Sequence, residues 1–149
     1  MSIAEHCNVE VVCCDVKASI AEVASLMREH HVGDIVVVDM ASDPRIPVGI
    51  VTDRDIVVEA VAPGVDLELI TAGDIMASPL TTVRESCELH EALETMERLN
   101  VRRLPVVRED NSLYGIVTAD DIVRLLSGEL ACLARAVGRQ TEVERHTRR

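Results

Sequence analysis

Two short motifs in this chain place a hydroxyl and a carboxylate at the same spacing. Thr52 is followed three residues later by Asp55, and Thr118 is followed by Asp121. A carboxylate at such a position can accept hydrogen bonds from ribose hydroxyls, as the acidic residue of dinucleotide-binding folds does. The alternative role is structural, because Thr-x-x-Asp before an apolar run is close to a capping box, which stabilises a helix start by about 1 kcal/mol. The two roles are compatible.

Both motifs belong to a repeated unit. Residues 49–57 read GIVTDRDIV and residues 115–123 read GIVTADDIV, so the two strings differ only at their fifth and sixth positions. Further upstream, residues 20–27 align with residues 89–96, and both stretches carry apolar residues at helical spacing. The first copy is longer than the second in the turn between residues 40 and 47. Because a repeat fixes the architecture of a chain, we expect two copies of one structural unit.

Each copy is predicted to fold as strand, helix, strand, strand, helix. Apolar runs predict strands over residues 9–13, 35–39, 48–51, 80–83, 104–107 and 113–117. Helical spacing predicts helices over residues 20–30, 53–62, 88–99 and 119–137, with a short helical linker at 66–74. Ser19 and Glu22 form a predicted capping box at the first helix. Gly33 and Asn100 are the predicted stop residues of the two long helices, since both types accept the left-handed conformation.

The predicted fold class is α/β (α+β), with two β-α-β-β-α repeats. Units of about 60 residues bury too little surface to be stable alone, so we expect the repeats to pack on each other through their sheets with pseudo-two-fold symmetry. The predicted boundaries are residues 8–62 for the first repeat, 63–75 for a linker, 76–137 for the second repeat and 138–149 for a flexible basic tail.

The composition excludes several classes of partner. The formal net charge is −11, which opposes binding to nucleic-acid backbones and to anionic membranes. Tyr114 is the only aromatic residue, so the chain has no platform on which single-stranded bases can stack. No apolar run is long enough to cross a membrane and no signal peptide is evident, so we expect a cytoplasmic protein.

The cysteines and histidines do not predict a metal site. The chain contains five cysteines, which we expect to be reduced and partly buried thiols. A metal site is an alternative, but the spacing of its candidate ligands matches no zinc pattern; these are His6, Cys7, Cys13, Cys14, His30 and His31. His90 has no evident partner either, and no catalytic motif is present, so we expect no enzymatic activity.

The repeated unit resembles the cystathionine β-synthase (CBS) domain. The order helix, apolar strand, turn, Gly-Ile-Val-Thr-x-x-Asp and helix is typical of that family, and the tandem resembles its paired form, the Bateman module. Gly73-Asp74-Ile75-Met76 before Ser78-Pro79 resembles the inter-repeat segment, and the string from Arg103 to Val107 resembles the second-strand motif. The resemblance covers about residues 8–137, which indicates a stand-alone pair.

The resemblance implies a regulatory module without an obligatory cofactor. Similar proteins bind adenine nucleotides (AMP, ADP or ATP) or a related adenosyl ligand such as NAD or S-adenosylmethionine between the repeats, and signal to a partner protein. They also form homodimers through their helices, and the long last helix offers apolar surface for this; the client protein is unknown. Two alternatives stay open: a dimeric adaptor without nucleotide, and a thiol- or metal-responsive protein that uses Cys13 and Cys14.

The resemblance also implies roles for individual residues. Thr52, Asp55, Thr118 and Asp121 are the expected contacts to ribose and phosphate, and Arg103 is an expected contact to phosphate. The guanidinium of Arg54 projects from the first turn of a helix and is a second phosphate candidate, with a solvated surface side chain as the alternative.

An apolar slot is expected to hold the adenine. Ile50 and Ile116 each precede a motif threonine by two positions, so they point to the same side of the strand as that threonine. Val12, Thr82, Gly33 and Arg102 are the candidates that close the slot from the other side. For the aliphatic residues, a place in the ordinary core is the alternative.

The two clefts are expected to differ. Asp34 occupies in the first copy the position of Arg103 in the second, and Asp120 matches Arg54. If Arg103 lies beside Thr118, that cleft is predicted to prefer the more phosphorylated ligand. The other cleft, near Asp34, is then predicted to bind weakly, to bind a less charged adenosine compound, or to stay empty.

Overall fold

Two similar three-stranded sheets with flanking helices form the structure. The computed structural model describes the backbone of residues 1–147 and the side chains of residues 1–139. The strands are β1 (Cys13–Asp15), β2 (Asp34–Val38) and β3 (Pro47–Thr52) in the first sheet, and β4 (Val83–Arg84), β5 (Arg103–Val107) and β6 (Leu113–Thr118) in the second. In each sheet the central strand pairs in parallel with the first strand and antiparallel with the third. The predicted α+β repeats are therefore confirmed.

The helices follow the predicted order. They are α1 (Ile20–His30), α2 (Asp53–Ile56), α3 (Ala72–Ile75), α4 (Leu89–Leu99) and α5 (Ala119–Thr147). Helix α2 continues as a π-helix over Val57–Val61. None of the helices in the described part of the chain combines the length and apolar character that a bilayer-crossing segment needs.

The apolar central strand β2 explains how the two repeats hold together. Ile35 and Val37 belong to the core shared with α1, whereas Val36 and Val38 belong to a separate cluster that includes Ile116 of the second sheet. Successive strand side chains point to opposite faces, so one face of β2 packs on helices and the other on the opposing sheet. All four of these β2 residues are completely buried.

Each repeat completes the core of the other. Ile3, in a 3₁₀ turn at the N-terminus, is completely buried in the core of the second repeat. Ala72, at the equivalent position before the second repeat, is completely buried in the core of the first. Residues 67–76, which sequence analysis treats as linker and as the start of the second repeat, thus contribute apolar side chains to the first core. Neither core is complete without a segment that lies outside its own repeat unit.

The start of β1 and the residue that ends α1 differ from their predicted positions. Strand β1 begins at Cys13 instead of residue 9, because the preceding residues cross from the second sheet to the first. At one end of this crossing Asn8 pairs with Ile116 of the second sheet. At the other end the carbonyl of Val12 accepts a hydrogen bond from the N–H of Val36 in the first sheet at 3.1 Å. The residue that ends α1 in the left-handed conformation (φ 55°) is His31, not Gly33. Its counterpart Asn100 (φ 53°) ends α4 as predicted.

Helix α5 is longer than predicted. Its backbone continues from the expected end near residue 137 to Thr147, through most of the segment predicted to be a flexible basic tail, residues 138–149. The side chains after residue 139 and the whole of Arg148 and Arg149 lie outside the described residues, so the predicted behaviour of the tail's basic groups stays a prediction.

Candidate functional site

Both Thr-x-x-Asp motifs form capping boxes at helix starts. The Asp55 N–H donates to Thr52 Oγ1 at 3.2 Å, and the Thr52 N–H donates to Asp55 Oδ2 at 2.8 Å. In the second repeat the Asp121 N–H donates to Thr118 Oγ1 at 3.2 Å, and the Thr118 N–H donates to Asp121 Oδ2 at 3.2 Å. The structural role considered from the sequence is therefore present at both motifs. Only one carboxylate oxygen is needed for it, which leaves Oδ1 of each aspartate for other partners.

A helix-to-strand corner from the same repeat adjoins each capping box. The N–H of Asp53, the first residue of α2, donates to the Gly33 carbonyl at 3.0 Å. At the equivalent place, the N–H of Ala119 donates to the Arg102 carbonyl at 2.8 Å. These bonds fix the helix starts beside the first residues of β2 and β5, which are Asp34 and Arg103.

Two cavities lie at these positions, each formed by both repeats. The cavity that we call the Thr52 cleft has a volume of about 290 Å³ and is lined by Ile50, Thr52, Asp55, Ala77, Asn100, Val101, Arg102 and Arg103. The cavity that we call the Thr118 cleft has a volume of about 370 Å³. It is lined by Asn8, Glu10, Val11, Val12, His31, Val32, Gly33, Asp34, Arg103, Ile116, Thr118, Asp120, Asp121 and Arg124. The motif of one repeat thus always faces a helix-to-strand corner of the other.

Most residues predicted from the sequence line one of these clefts. The Thr52 cleft contains Ile50, Thr52, Asp55, Arg102 and Arg103. The Thr118 cleft contains Val12, Gly33, Arg103, Ile116, Thr118 and Asp121. Both isoleucines also pack in the cluster between the sheets, so the two roles considered for them coincide.

Two of the predicted residues line neither cleft. Thr82 directly precedes β4 and is absent from both linings. Cys14 and Val83 occupy the same register position in their sheets, so the residue equivalent to Val12 in the second repeat is Thr81 and not Thr82. Arg54 is exposed on α2 and lines neither cavity. Its counterpart Asp120 lines the Thr118 cleft and adds a negative charge there.

Arg103 and Asp34 form an ion pair between the two clefts. The distance from Arg103 Nε to Asp34 Oδ2 is 2.5 Å, and the side chains are only 29% and 18% exposed. The backbone of Arg103 pairs with Thr118, as the sequence interpretation required, but its side chain reaches across the pseudo-two-fold axis. As a result Arg103 lines both clefts and Asp34 lines the Thr118 cleft, so the predicted separation of these two residues into different clefts is wrong.

Several cleft residues were not predicted from the sequence. Asn8, Glu10 and Val11 come from the segment that crosses between the sheets, and nothing in a strand-like pattern indicates such a crossing. His31 and Asn100 are the left-handed ends of α1 and α4. The repeat alignment could have indicated these two residues. It places each of them three residues before the first residue of the central strand, Asp34 or Arg103, and therefore at the same helix-to-strand corner.

The remaining ion pairs at the clefts are more exposed. Arg102 contacts Asp120 at 3.2 Å, and both side chains are largely solvent-accessible. Arg124 contacts Asp121 Oδ1 at 3.7 Å across one helical turn. Exposed pairs of this kind contribute at most about 1 kcal/mol, so a ligand can displace them at small cost.

Burial makes four of the five thiols hard to ionise, and Cys132 is the exposed exception. Burial raises the pKa of Cys14 to about 12 and, together with the neighbouring Glu91, raises the pKa of Cys87 to about 11. Burial also raises the pKa of Cys7 and of Cys13. Within the described residues, no three side chains of His, Cys, Asp or Glu come together in a group that could hold a metal ion.

A comparison with known families identifies the duplicated unit. The profile of the CBS domain matches residues 3–61 and 72–128, which correspond to the two repeats. The chain belongs to the CBS domain family. The first CBS match begins at residue 3, consistent with the burial of Ile3, and the tandem CBS pair predicted from the sequence is confirmed.

Relatives and solved structures agree with this assignment. An uncharacterized protein of Methanopyrus kandleri is 36% identical over 125 residues, which are 84% of this chain and 62% of that protein, so the chain spans less than two thirds of this relative. A CBS domain protein from Pyrobaculum aerophilum, solved in complex with AMP, has a TM-score of 0.77 and 32% identity over 89% of this chain and 99% of that one.

A second solved CBS structure contains other adenosyl compounds. The CBS domain pair of protein MJ0100, solved with 5′-methylthioadenosine and S-adenosyl-L-methionine, has a TM-score of 0.76 and 26% identity. The match covers 87% of this chain and 98% of that chain. CBS pairs similar to this chain thus include proteins that bind an adenosyl ligand.

Proposed function

We propose that this chain is a regulatory module that binds an adenosine-containing ligand, such as AMP, ADP or ATP, in the clefts between its CBS repeats and signals to a partner protein. The observation that carries the proposal is that each Thr-x-x-Asp motif of one repeat lines a cavity closed by a corner of the other. A ligand in either cleft contacts both repeats and therefore stabilises one arrangement of them.

The Thr52 cleft offers each group that an adenine nucleotide requires. Asp55 uses Oδ2 in the capping box, and within the described residues its Oδ1 has no hydrogen-bond partner and is available to the ribose hydroxyls. Ile50 and Val101 provide apolar surface for the base from opposite repeats. Arg103 provides the positive charge for a phosphate.

The binding step is tested by thermal unfolding with added ligands. AMP, ADP, ATP and S-adenosylmethionine are added separately, with GTP as a control for the base. A ligand that binds only the folded chain raises the melting temperature through linkage, by an amount that increases with concentration. If none of the adenosine compounds shifts the transition at millimolar concentration, the proposal is wrong and a nucleotide-free adaptor becomes the better description.

Replacement of the two cleft aspartates tests the assignment of the site. Asp55→Ala combined with Asp121→Ala should abolish the ligand-induced shift. Asp74→Ala is the matched control, because Asp74 forms the same capping box with Thr71 but lines neither cleft. The shift is measured relative to each variant's own ligand-free transition, so the loss of a cap alone does not imitate the loss of a ligand contact.

We also propose that the chain forms a homodimer through α5. Val123, Leu126, Leu130 and Leu133 follow the alternating spacing of three and four residues that forms a helix-pairing seam, and they are 46–67% exposed. A C2 dimer would bury the same stripe of both chains.

Light scattering should show a dimer, and Leu130→Glu should shift it towards monomer. Cys132→Glu, which adds the same charge on another face of the helix, should leave the dimer intact; equal behaviour of the two variants would refute the seam.

A further inference from the structure

The two clefts carry opposite excess charge. Four carboxylates line the Thr118 cleft against two guanidinium groups; the acids are Glu10, Asp34, Asp120 and Asp121, and the bases are Arg103 and Arg124. The Thr52 cleft contains one carboxylate, Asp55, against the two guanidinium groups of Arg102 and Arg103. Counted over these linings, with Arg103 shared by both, the first cleft has two more acids than bases and the second has one more base than acids, and Arg102 of the second is paired with Asp120 of the first at 3.2 Å.

Three acids of the Thr118 cleft are paired with guanidinium groups, and the most exposed of these pairs joins Asp120 to Arg102 of the Thr52 cleft. Arg103 is held by Asp34 at 2.5 Å, and Arg124 contacts Asp121 at 3.7 Å. The carboxylate of Glu10 forms no ion pair with any side chain among residues 1–139 and so remains an unpaired negative charge. A phosphate that enters this cleft meets guanidinium groups that already have a carboxylate partner and is repelled by Glu10, whereas a cation meets complementary charge.

We propose that the two clefts divide adenosyl ligands by charge: the Thr52 cleft binds a phosphorylated nucleoside, and the Thr118 cleft binds an adenosyl compound that carries a positive charge, such as a sulfonium nucleoside. This proposal rests on the proposed function, because it assigns ligand classes to the same two clefts. It reverses the preference that the sequence alone suggested for the Thr118 cleft.

The shared arginine couples the two clefts. Arg103 lines both cavities, so a phosphate in the Thr52 cleft competes with Asp34 for its guanidinium. When the phosphate takes Arg103, the carboxylate of Asp34 is left unpaired in the Thr118 cleft and attracts a cation more strongly. Because coupling between binding sites is reciprocal, each ligand should raise the affinity for the other.

The charge division is tested by titration calorimetry with AMP as the anionic probe and S-adenosylmethionine as the cationic probe. Each should bind one site per chain without displacing the other. Asp55→Ala should weaken AMP binding by at least tenfold and leave S-adenosylmethionine unaffected, and Asp121→Ala should do the reverse. Circular dichroism checks that both variants fold, and the experiment with both ligands in the unmodified chain tests for two separate sites without any substitution.

Asp34→Asn tests the coupling. The unmodified chain saturated with AMP should bind S-adenosylmethionine several-fold more tightly than the free chain does. The substitution removes one carboxylate, so it should weaken S-adenosylmethionine by about tenfold, abolish the coupling and admit a second AMP. Asp43→Asn is the matched control, because Asp43 is an exposed loop residue that lines neither cleft and changes the net charge equally.

The outcomes separate this proposal from the function on which it rests. Competition between the two probes, AMP binding that depends on Asp121, or two equal AMP sites in the unmodified chain would overturn the charge division while adenosyl binding itself stands. No heat and no thermal shift with either probe would instead refute the proposed function. The preference of each cleft for one ligand charge should also diminish as the salt concentration is raised, because screening weakens the attraction and the repulsion between ligand and cleft charges.

Discussion

Gly49 of β3 lies directly against the side chain of Met76, the residue that follows α3. A β-carbon placed on Gly49 would fall 2.3 Å from Met76 Sδ and 2.9 Å from Met76 Cβ, which is closer than real contacts allow. Gly115, the equivalent glycine, meets the carbonyl oxygen of Asn8 and the Cys7 sulfur, each at 2.8 Å. The repeated glycine of the GIVT string is thus required because the segment that leads into the other repeat passes over it.

Gly49→Ala should therefore destabilise the protein. Overpacking of a filled site costs about 1–3 kcal/mol, measured as the change in the free energy of unfolding in urea. Gly128→Ala is the matched comparison, because nothing lies within 4 Å of a β-carbon at that position of α5. There the same change should stabilise the helix by about 0.5–1 kcal/mol. Equal effects at the two sites would contradict the close approach of Met76.

Ile3→Ala should destabilise the second repeat, although the residue is at the far end of the sequence. Ile3 is completely buried in the second core, and removal of a buried isoleucine side chain costs about 2–5 kcal/mol. Val9→Ala is the control, because Val9 is 59% exposed and its truncation should change stability by less than about 0.5 kcal/mol. Hydrogen exchange should locate the loss around β5 and β6, and a loss confined to the first sheet would disprove the crossed packing.

Acid should weaken the cap at α3. Hydrogen bonds from the Thr71 N–H and hydroxyl lower the pKa of Asp74. A carboxyl whose folded pKa is depressed contributes stability above its ordinary pKa of about 3.9 and loses it as the pH falls through the lower folded value. The melting temperature of Asp74→Ala should thus lie below that of the unmodified chain at pH 7, and the gap should narrow below about pH 4. A gap of constant size down to pH 2.5 would show that the charge is not involved.

The thiols should be alkylated in a defined order. With a pKa of about 12, only ~10⁻⁴ of Cys14 is thiolate at pH 8, and the residue is also buried. Cys132 is exposed on α5 and should react first with iodoacetamide, as followed by mass spectrometry of peptides. In guanidinium chloride all five cysteines should react at similar rates. Early modification of Cys14 in the native chain would contradict its burial and reopen the thiol-responsive alternative.

The sequence by itself was sufficient for the fold and for the centres of both clefts. The GIVT repeat and its flanking helical pattern predicted two equivalent units, because periodicity and turn chemistry are local properties of the chain. Thr52, Asp55, Thr118 and Asp121, which the repeated motif singled out, all line the two cavities, and their roles as ligand contacts stay predictions.

The tertiary structure alone decided which residues share a cleft and with what charge. The Arg103 side chain reaches Asp34 across the pseudo-two-fold axis, and residues 8–12 leave the strand pattern to cross between the sheets. Both features depend on how the repeats are placed against each other, and that placement is set by burial of Val36, Val38 and Ile116 between the sheets. A one-dimensional pattern records which side chains are apolar, but the direction of a long charged side chain depends on the partner that the packed structure brings within its reach.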